Sequence, residues 1–486
     1  MKIGKEALYF FFGITGVAVY LLVAGFTYSH TEESSSDSDP APLKPNIIYI
    51  MADDLGYGDV GFNGQTKIRT PNIDQLAKEG MVFTQHYSGS AVCAPSRAAL
   101  LTGIHTAHAH IRELSAWTAS GNSIDLLQEE VTVAEELKRA GYKTGIIGKW
   151  GMDESGTTGN ALDQGFDYFY GYKTHTEAHH YYPPYLWKNR DKITLPHNIT
   201  AEKKGTYSND AFTSEALQFI RSNKQAPFFL YLPYTVPHNE ITVPADSKQP
   251  YLNLGWPQRP LKSGHYYNDP EGHTTYAGMV SRLDRYVGQL LAELKRNGLD
   301  KKTMIVFTSD NGPAFDTGFF NSNGPFRGRK LTLYEGGIRM PFAVRWPGKI
   351  KAGSINNQPV AAWDFLPTAC ELAGITPSVP VDGLSYLPTL LGKPGAQKKH
   401  SFFYWEINED AGPIQAVRMG KWKGILLYEK PFELYDLATD PGETLNVAEQ
   451  FPSVVATIKS TMISTRTESS EFPLTKRKSH YKAGID

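Results

Sequence analysis

Four short apolar runs, widely separated along the chain, each end on polar or charged residues, and this arrangement sets the class of fold. Asn46-Ile47-Ile48-Tyr49-Ile50-Met51 leads into Ala52-Asp53-Asp54, and Thr144-Gly145-Ile146-Ile147-Gly148 into Lys149-Trp150. Phe228-Phe229-Leu230-Tyr231-Leu232 leads towards Pro237-His238, and Thr303-Met304-Ile305-Val306-Phe307-Thr308-Ser309 into Asp310-Asn311. Short continuous apolar runs bounded by turn residues read as strands buried on both faces, as in parallel sheets. The connectors are helical: Thr132 to Gly141 closes on glycine, and Met279 to Leu291 repeats apolar residues three and four apart. The alternation predicts an α/β fold, a large mixed and mostly parallel central sheet flanked by helices. From about Ser385, short aromatic runs between turns predict a smaller antiparallel sheet, with one hairpin turning at Met419-Gly420. Ligands of open α/β sheets bind outside the carboxyl ends of the strands, the edge to which these four runs deliver acids, a lysine, a histidine and an asparagine.

The chain divides around that core. Ala7 to Tyr28 carries no charge, and about 22 helical residues span about 33 Å. Residues 1–30 are therefore predicted to be an export signal, uncleaved or inefficiently cleaved. It would place the protein in the periplasm or outside the cell and can anchor it to the membrane. Residues 31–44 read as a polar linker, 45–384 as the main domain, 385–470 as the antiparallel subdomain and 471–486 as a basic, solvated tail. With 49 basic and 50 acidic residues, the chain lacks the charge of a protein held to nucleic acid by phosphate neutralisation. Its two cysteines, Cys93 and Cys370, can form neither a disulfide framework nor a four-thiolate zinc site. Cys370 follows the helix start Asp364-Phe365-Leu366-Pro367-Thr368 and reads as a small core residue.

Cys93 is different. In Ser90-Ala91-Val92-Cys93-Ala94-Pro95-Ser96-Arg97-Ala98-Ala99-Leu100-Leu101-Thr102-Gly103, Pro95 suits a first helical turn and Gly103 a helix end. Cys93 then sits at the helix N-terminus, where free N–H groups favour an anion, with Arg97 one turn on. Together with Asp53-Asp54, Gly148-Lys149-Trp150, Pro237-His238, Asp310-Asn311-Gly312, Lys330 to Pro341 and Leu434 to Glu443, the Cys93-Ala94-Pro95-Ser96-Arg97 stretch resembles the type I formylglycine-dependent sulfatases of the alkaline phosphatase superfamily, from about Pro45 to Ala448.

The resemblance implies the alkaline phosphatase/sulfatase-like fold and the hydrolysis of a sulfate ester. It implies that a separate maturation enzyme converts Cys93 to Cα-formylglycine, whose hydrate has two hydroxyls. One attacks sulfur and expels the alcohol; the other, once deprotonated, expels sulfate, a route closed to a serine with a single hydroxyl. By the same match, Asp53, Asp54, Asp310, Asn311 and the modified Cys93 bind a metal, and this hard oxygen set suits Ca²⁺ or Mg²⁺ rather than zinc. Arg97 would hold the diol, Lys149 and Lys330 bind sulfate oxygens, and His238 stand near the leaving group. Against three carboxylates, the ion and three basic side chains leave a surplus of about two positive charges for a sulfate ester.

One position departs from the family. Many members read Gly-Lys-Trp-His, the histidine helping to deprotonate the diol, where this chain has Gly151. His105, His179 and His180 are the sequence candidates for that task. The aromatic stretches Phe166 to Lys173 and His179 to Trp187 could line a sugar pocket or pack under a loop. With the Asn321 to Gly328 loop they resemble bacterial sulfatases acting on carbohydrates, so the expected substrate is a sulfated saccharide such as a galactan or glycosaminoglycan fragment. His179, His180 and Arg327 would contact it, although Arg327 equally suits a support for Asp310. Two other functions fit less of the sequence: a phosphonate or phosphate ester hydrolase of the same superfamily, and a non-catalytic saccharide-binding protein with Cys93 unmodified.

Overall fold

The computed structural model describes residues 44–156, 158–198, 205–259, 266–315 and 317–480. A mixed sheet of ten strands runs through them. Its five central strands, in spatial order Thr303–Ser309, Asn46–Ala52, Phe228–Pro233, Lys143–Lys149 and Tyr168–Tyr172, are parallel. Antiparallel strands extend both sides, Ala343–Arg345 beyond Thr303–Ser309 and Tyr185–Lys188 beyond Tyr168–Tyr172. The register aligns Met51 with Pro233 and Ala52 with Ser309. Asp53, Asp310 and the segment leading to His238 therefore leave the sheet side by side, with Lys149 one strand further out.

Strand periodicity explains why these runs are apolar throughout. Ile48, Ile50, Leu230, Leu232, Ile305 and Phe307 pack on one face against Met279, Val280, Leu283 and Val287 of the helix Gly272–Arg296. Ile47, Tyr49, Phe229, Tyr231, Met304 and Val306 pack on the other, with residues of the helices Cys93–Thr102, Val133–Arg139 and Phe365–Ala373. Cys370 is fully buried in the last of these, as a core residue. Thr132 accepts from the Glu135 N–H, while the Glu135 carboxylate accepts from Thr132, closing a capping box at the start of Val133–Arg139.

A separate antiparallel sheet comprises Phe403–Glu409, Gly412–Met419, Trp422–Leu427 and Glu433–Asp436. Its central hairpin turns one residue later than expected. Met419 still pairs with Trp422, and Gly420 takes the left-handed conformation (φ 57°) that opens the turn. The helix Pro452–Thr465 covers this sheet through Ile458 and Met462. The predicted export signal, the predicted linker up to residue 43 and residues 481–486 of the tail lie outside the described residues. Among the described residues no helix is long and apolar enough to cross a membrane.

Leu230 is 0% exposed in the central sheet, whereas Ile355 on an edge strand is 70% exposed. Leu230→Ala should cost about 2–5 kcal/mol in urea unfolding, and Ile355→Ala no more than about 0.5 kcal/mol.

Candidate functional site

The strand ends build a buried cluster of alternating charge. The Asp53 N–H donates to the Val236 carbonyl at 3.1 Å and the Asp310 N–H to the Ala52 carbonyl at 3.1 Å, so the polypeptide continues its pairing past the sheet. Asp54 bends away in the left-handed region (φ 65°), which a short acidic side chain tolerates, and its N–H donates to Asp310 Oδ1 at 3.1 Å. Each of the three carboxylates meets a cation from a different element. Lys149 Nζ donates to Asp53 Oδ2 at 2.8 Å. Lys330 Nζ reaches both oxygens of Asp54, at 2.8 and 2.9 Å. Arg97 donates through Nε and Nη2 to Asp310 Oδ2 at 3.0 and 2.6 Å, and through Nη1 to the Lys149 carbonyl at 3.1 Å.

Burial opposes ionisation of all three acids, with unequal results. At Asp53 the charges of Lys149, Arg97 and Lys330 outweigh burial and hold the carboxyl well below its usual range. Asp54 stays raised by burial and by Asp53 despite Lys330, and Asp310 is pushed up to about 7 by burial and Asp53. Burial thus keeps these two acids hard to ionise even beside their paired cations. Asp53 Oδ1 and Asn311 Oδ1 are buried without a hydrogen-bond partner. Orphaned acceptors beside buried carboxylates are what a hard cation satisfies, so these residues fit Ca²⁺ or Mg²⁺. Asp53, Asp54 and His238 also present ligand atoms within 4.8 Å of one another.

Cys93 opens the helix Cys93–Thr102, which ends at Gly103 in the left-handed region (φ 72°), and the Cys93 side chain is fully buried. Its thiol is pushed up by burial against the pull of Lys149 and Lys330. Ser96 donates to the Asp310 carbonyl at 2.5 Å and accepts from the Gly89 N–H at 3.1 Å, tying the helix start to the strand end that carries Asp310. Gly148, beside Lys149, has a positive φ of 134°, and a Cβ there would lie 2.1 Å from the Pro233 carbonyl oxygen. The close approach of these two strands therefore requires glycine.

The structure brings Cys93, Arg97, Lys149, Lys330, His238, Asp53, Asp54, Asp310 and Asn311 into one cluster, and it adds a residue that sequence reasoning missed. His175 Nδ1 lies 3.3 Å from Cys93 Sγ. The ring of His179 is edge-on to His175 at 4.6 Å and stacked on His238 at 5.3 Å. The other histidines named from sequence are engaged elsewhere. His180 Nδ1 is 2.8 Å from Glu240 Oε2. His105 stacks on His108, whose Nδ1 is 2.9 Å from Asp382 and whose Nε2 is 2.8 Å from the Thr465 carbonyl. Both His108 nitrogens are thereby used, as in a structural ion pair.

The aromatic stretches also differ from a sugar-lining wall. Phe166, Phe169, Tyr172 and Tyr181 are core residues. Tyr185 and Trp187 donate to Glu177 Oε1 at 2.8 and 2.9 Å and so brace the turn that carries His175. Arg327 donates to the Tyr435 hydroxyl at 2.9 Å and to the Glu443 carbonyl at 3.2 Å, and it stacks on Tyr334. It ties the segment bearing Lys330 to the antiparallel sheet.

A second buried ionic knot grips the other end of that segment. Lys423 Nζ, 0% exposed, bridges Glu335 Oε1 and Glu443 Oε1 at 2.9 Å each, and the Glu335 N–H donates to Glu443 Oε2 at 2.6 Å. Burial works against ionised Glu335, but Lys423, Arg339 and Arg418 outweigh it and bring it to about 2. The small sheet is therefore a clamp on the loop that delivers Lys330. Lys423→Met should destabilise the protein by about 3–5 kcal/mol and lower kcat/KM for a sulfate ester. Lys421→Ala, which breaks the half-exposed pair with Asp436, should cost about 1 kcal/mol or less and leave turnover intact.

Comparison with known proteins identifies the family. The sulfatase family profile covers residues 45–375, and that of the N-sulphoglucosamine sulphohydrolase C-terminal region covers residues 326–468. The N-acetylgalactosamine-6-sulfatase of Mus musculus is 33% identical over 84% of this chain and 77% of its own length. The N-acetylgalactosamine-6-O-sulfatase of Bacteroides thetaiotaomicron is 30% identical over 90% of this chain and 96% of its own. Among solved structures, Ps i-CgsB in complex with k-i-k-neocarrahexaose superposes with a TM-score of 0.73 at 30% identity, over 88% of this chain and 94% of that one. Buried strand-end acids, their paired cations and a cysteine at a helix start thus sit in a chain that belongs to the sulfatase family of the alkaline phosphatase superfamily, the sulfuric ester hydrolases.

Proposed function

We propose that this sulfatase removes sulfate from a sulfated saccharide, using as nucleophile a formylglycine hydrate made from Cys93 by a maturation enzyme. The observation that carries the reading is the position of Cys93. It is fully buried at a helix start, in the field of the Lys149, Lys330 and Arg97 cations that neutralise three strand-end acids. Since those cations cancel the acids one for one, the charge of a bound ion is the surplus an anionic sulfate meets. Asp53, Asp54, Asp310 and Asn311 would hold Ca²⁺ or Mg²⁺, with residue 93 as a further ligand. When bound, the ion supplies positive charge that favours an ionised hydroxyl at neutral pH.

The remaining roles follow from donors and acceptors. Lys149 and Lys330 donate to sulfate oxygens, Arg97 fixes residue 93 from the next helical turn, and His238 donates to the oxygen of the departing alcohol. Burial and the Lys330 charge hold His238 well below the usual histidine range, so it serves as a hydrogen-bond donor from a neutral ring. His179, stacked on His238, would contact the sugar. The saccharide preference is supported by the relatives, two of them N-acetylgalactosamine 6-sulfatases and one solved with k-i-k-neocarrahexaose. Export to a compartment holding such polymers accords with the uncharged stretch Ala7 to Tyr28.

Protein from a host that matures sulfatases should show a residue 93 peptide lighter than the thiol form by about 18 Da. It should release sulfate from galactan or glycosaminoglycan oligosaccharides in preference to phosphate from matched phosphate esters. Cys93→Ala should lower turnover by about 10⁴-fold or more. An unmodified thiol in fully active protein, or a preference for the phosphate ester, would contradict the reading.

A further inference from the structure

The Cys93 side chain has one hydrogen-bonding side-chain partner among the described residues, His175. The cations beside it offer no proton acceptor. Lys149, Lys330 and Arg97 carry only donors and are paired with Asp53, Asp54 and Asp310. His238 Nε2 lies 3.6 Å from Asp54 Oδ2. Gly151, two residues after Lys149, contributes no side chain; a Cβ there would meet nothing closer than Lys149 Cε at 3.5 Å. Gly151 and His175 line one cavity of about 140 Å³, together with Ala94, Glu154 and His179.

The turn carrying His175 is built rigidly. The Lys173 and Thr174 N–H groups donate to Glu177 Oε2 at 3.0 and 3.3 Å, and the Glu177 N–H donates to Thr174 Oγ1 at 3.0 Å. The Gly151 N–H donates to the Lys173 carbonyl at 3.0 Å, and the His175 N–H donates to the Glu154 carboxylate. Two carboxylates therefore hold the backbone from Lys173 to His175, which carries an imidazole aimed at residue 93, the pre-organisation a proton acceptor needs.

We infer that His175 is the catalytic base of this enzyme, accepting at Nδ1 the hydroxyl proton of residue 93 when sulfate departs. The inference rests on residue 93 being a formylglycine hydrate. In the step, the O–H bond of the unsulfated hydroxyl breaks and its proton goes to Nδ1. The freed electron pair forms the C=O of the aldehyde, and the bond from that carbon to the sulfate oxygen breaks, with sulfate taking the pair. Water then rehydrates the aldehyde, and the ring returns its proton to solvent.

The test uses matured full-length enzyme with residue 93 conversion checked by peptide mass, comparing wild type, His175→Ala and His175→Gln on an aryl sulfate. Glutamine keeps a hydrogen-bonding group of similar reach but takes no proton, so it should behave as alanine does. Both variants should release about one equivalent of alcohol per site and then stall, with steady-state sulfate release lower by about 10²–10⁴-fold. Their residue 93 peptide should be heavier than the diol by about 80 Da, the sulfated form. Added imidazole should restore part of the rate to His175→Ala through the cavity. Wild-type steady-state rates in either variant, or a loss of rate with no sulfated peptide in both, would overturn the role of His175. Failure of the wild-type enzyme to release any sulfate would instead overturn the sulfatase reading on which it depends.

Discussion

Three carboxylates buried at adjacent strand ends are the constraint around which the rest of the molecule is arranged. Asp53, Asp54 and Asp310 are each at most 1% exposed. Three ionised acids in one pocket are tolerable only with counter-charges that are equally buried. The chain supplies them from three directions: Lys149 from a neighbouring strand, Arg97 from the second turn of the helix opened by Cys93, and Lys330 from a loop near the small sheet. The same three contacts pull Cys93, the two lysines and the proposed metal ligands together. Stability of the pocket and readiness for a sulfate ester thus have one electrostatic origin.

The antiparallel sheet belongs to this arrangement. Lys330 sits between two anchors on that sheet, Arg327 on Tyr435 and Glu443, and Glu335 on Lys423 and Glu443. A lysine on a free loop would lose the geometry that a preformed anion site needs, because each side-chain rotamer it samples weakens the pairing with Asp54. The buried Lys423 replaces that freedom by a fixed charge contact on the far side of the loop.

What the sequence made legible follows from range of interaction. Strands such as Asn46–Ala52 and Thr303–Ser309 were readable because burial on both faces makes them apolar throughout, a purely local signal. The helix start at Cys93 was readable from Pro95 and Gly103. The cluster at the sheet edge followed from the general rule for parallel sheets, with the family resemblance assigning the roles. His175 escaped because its contact with Cys93 joins residues 82 positions apart, and its neighbours Thr174 and Thr176 carry no periodic or motif signal. The absence of a side chain at Gly151 hinted that another group was needed, but not which. The aromatic run around Tyr172 and Tyr181 was ambiguous for a physical reason: large rings suit a sugar face and a protein core equally, and only burial distinguishes them. Arg327 was similarly open, since a guanidinium stacked on tyrosine and bonded to a carbonyl uses the same donors that would read an anion.

The central claim is that the paired acids leave a place for one hard divalent cation. Anomalous scattering from a crystal grown with Ca²⁺ tests it directly. The account predicts a single ion bounded by oxygens of Asp53, Asp54, Asp310 and Asn311 at about 2.3–2.6 Å, taking up Asp53 Oδ1 and Asn311 Oδ1, which have no hydrogen-bond partner. The Lys149, Lys330 and Arg97 contacts would remain close at hand. A pocket that binds no ion at millimolar Ca²⁺ or Mg²⁺, with the three acids still charge-paired, would contradict it.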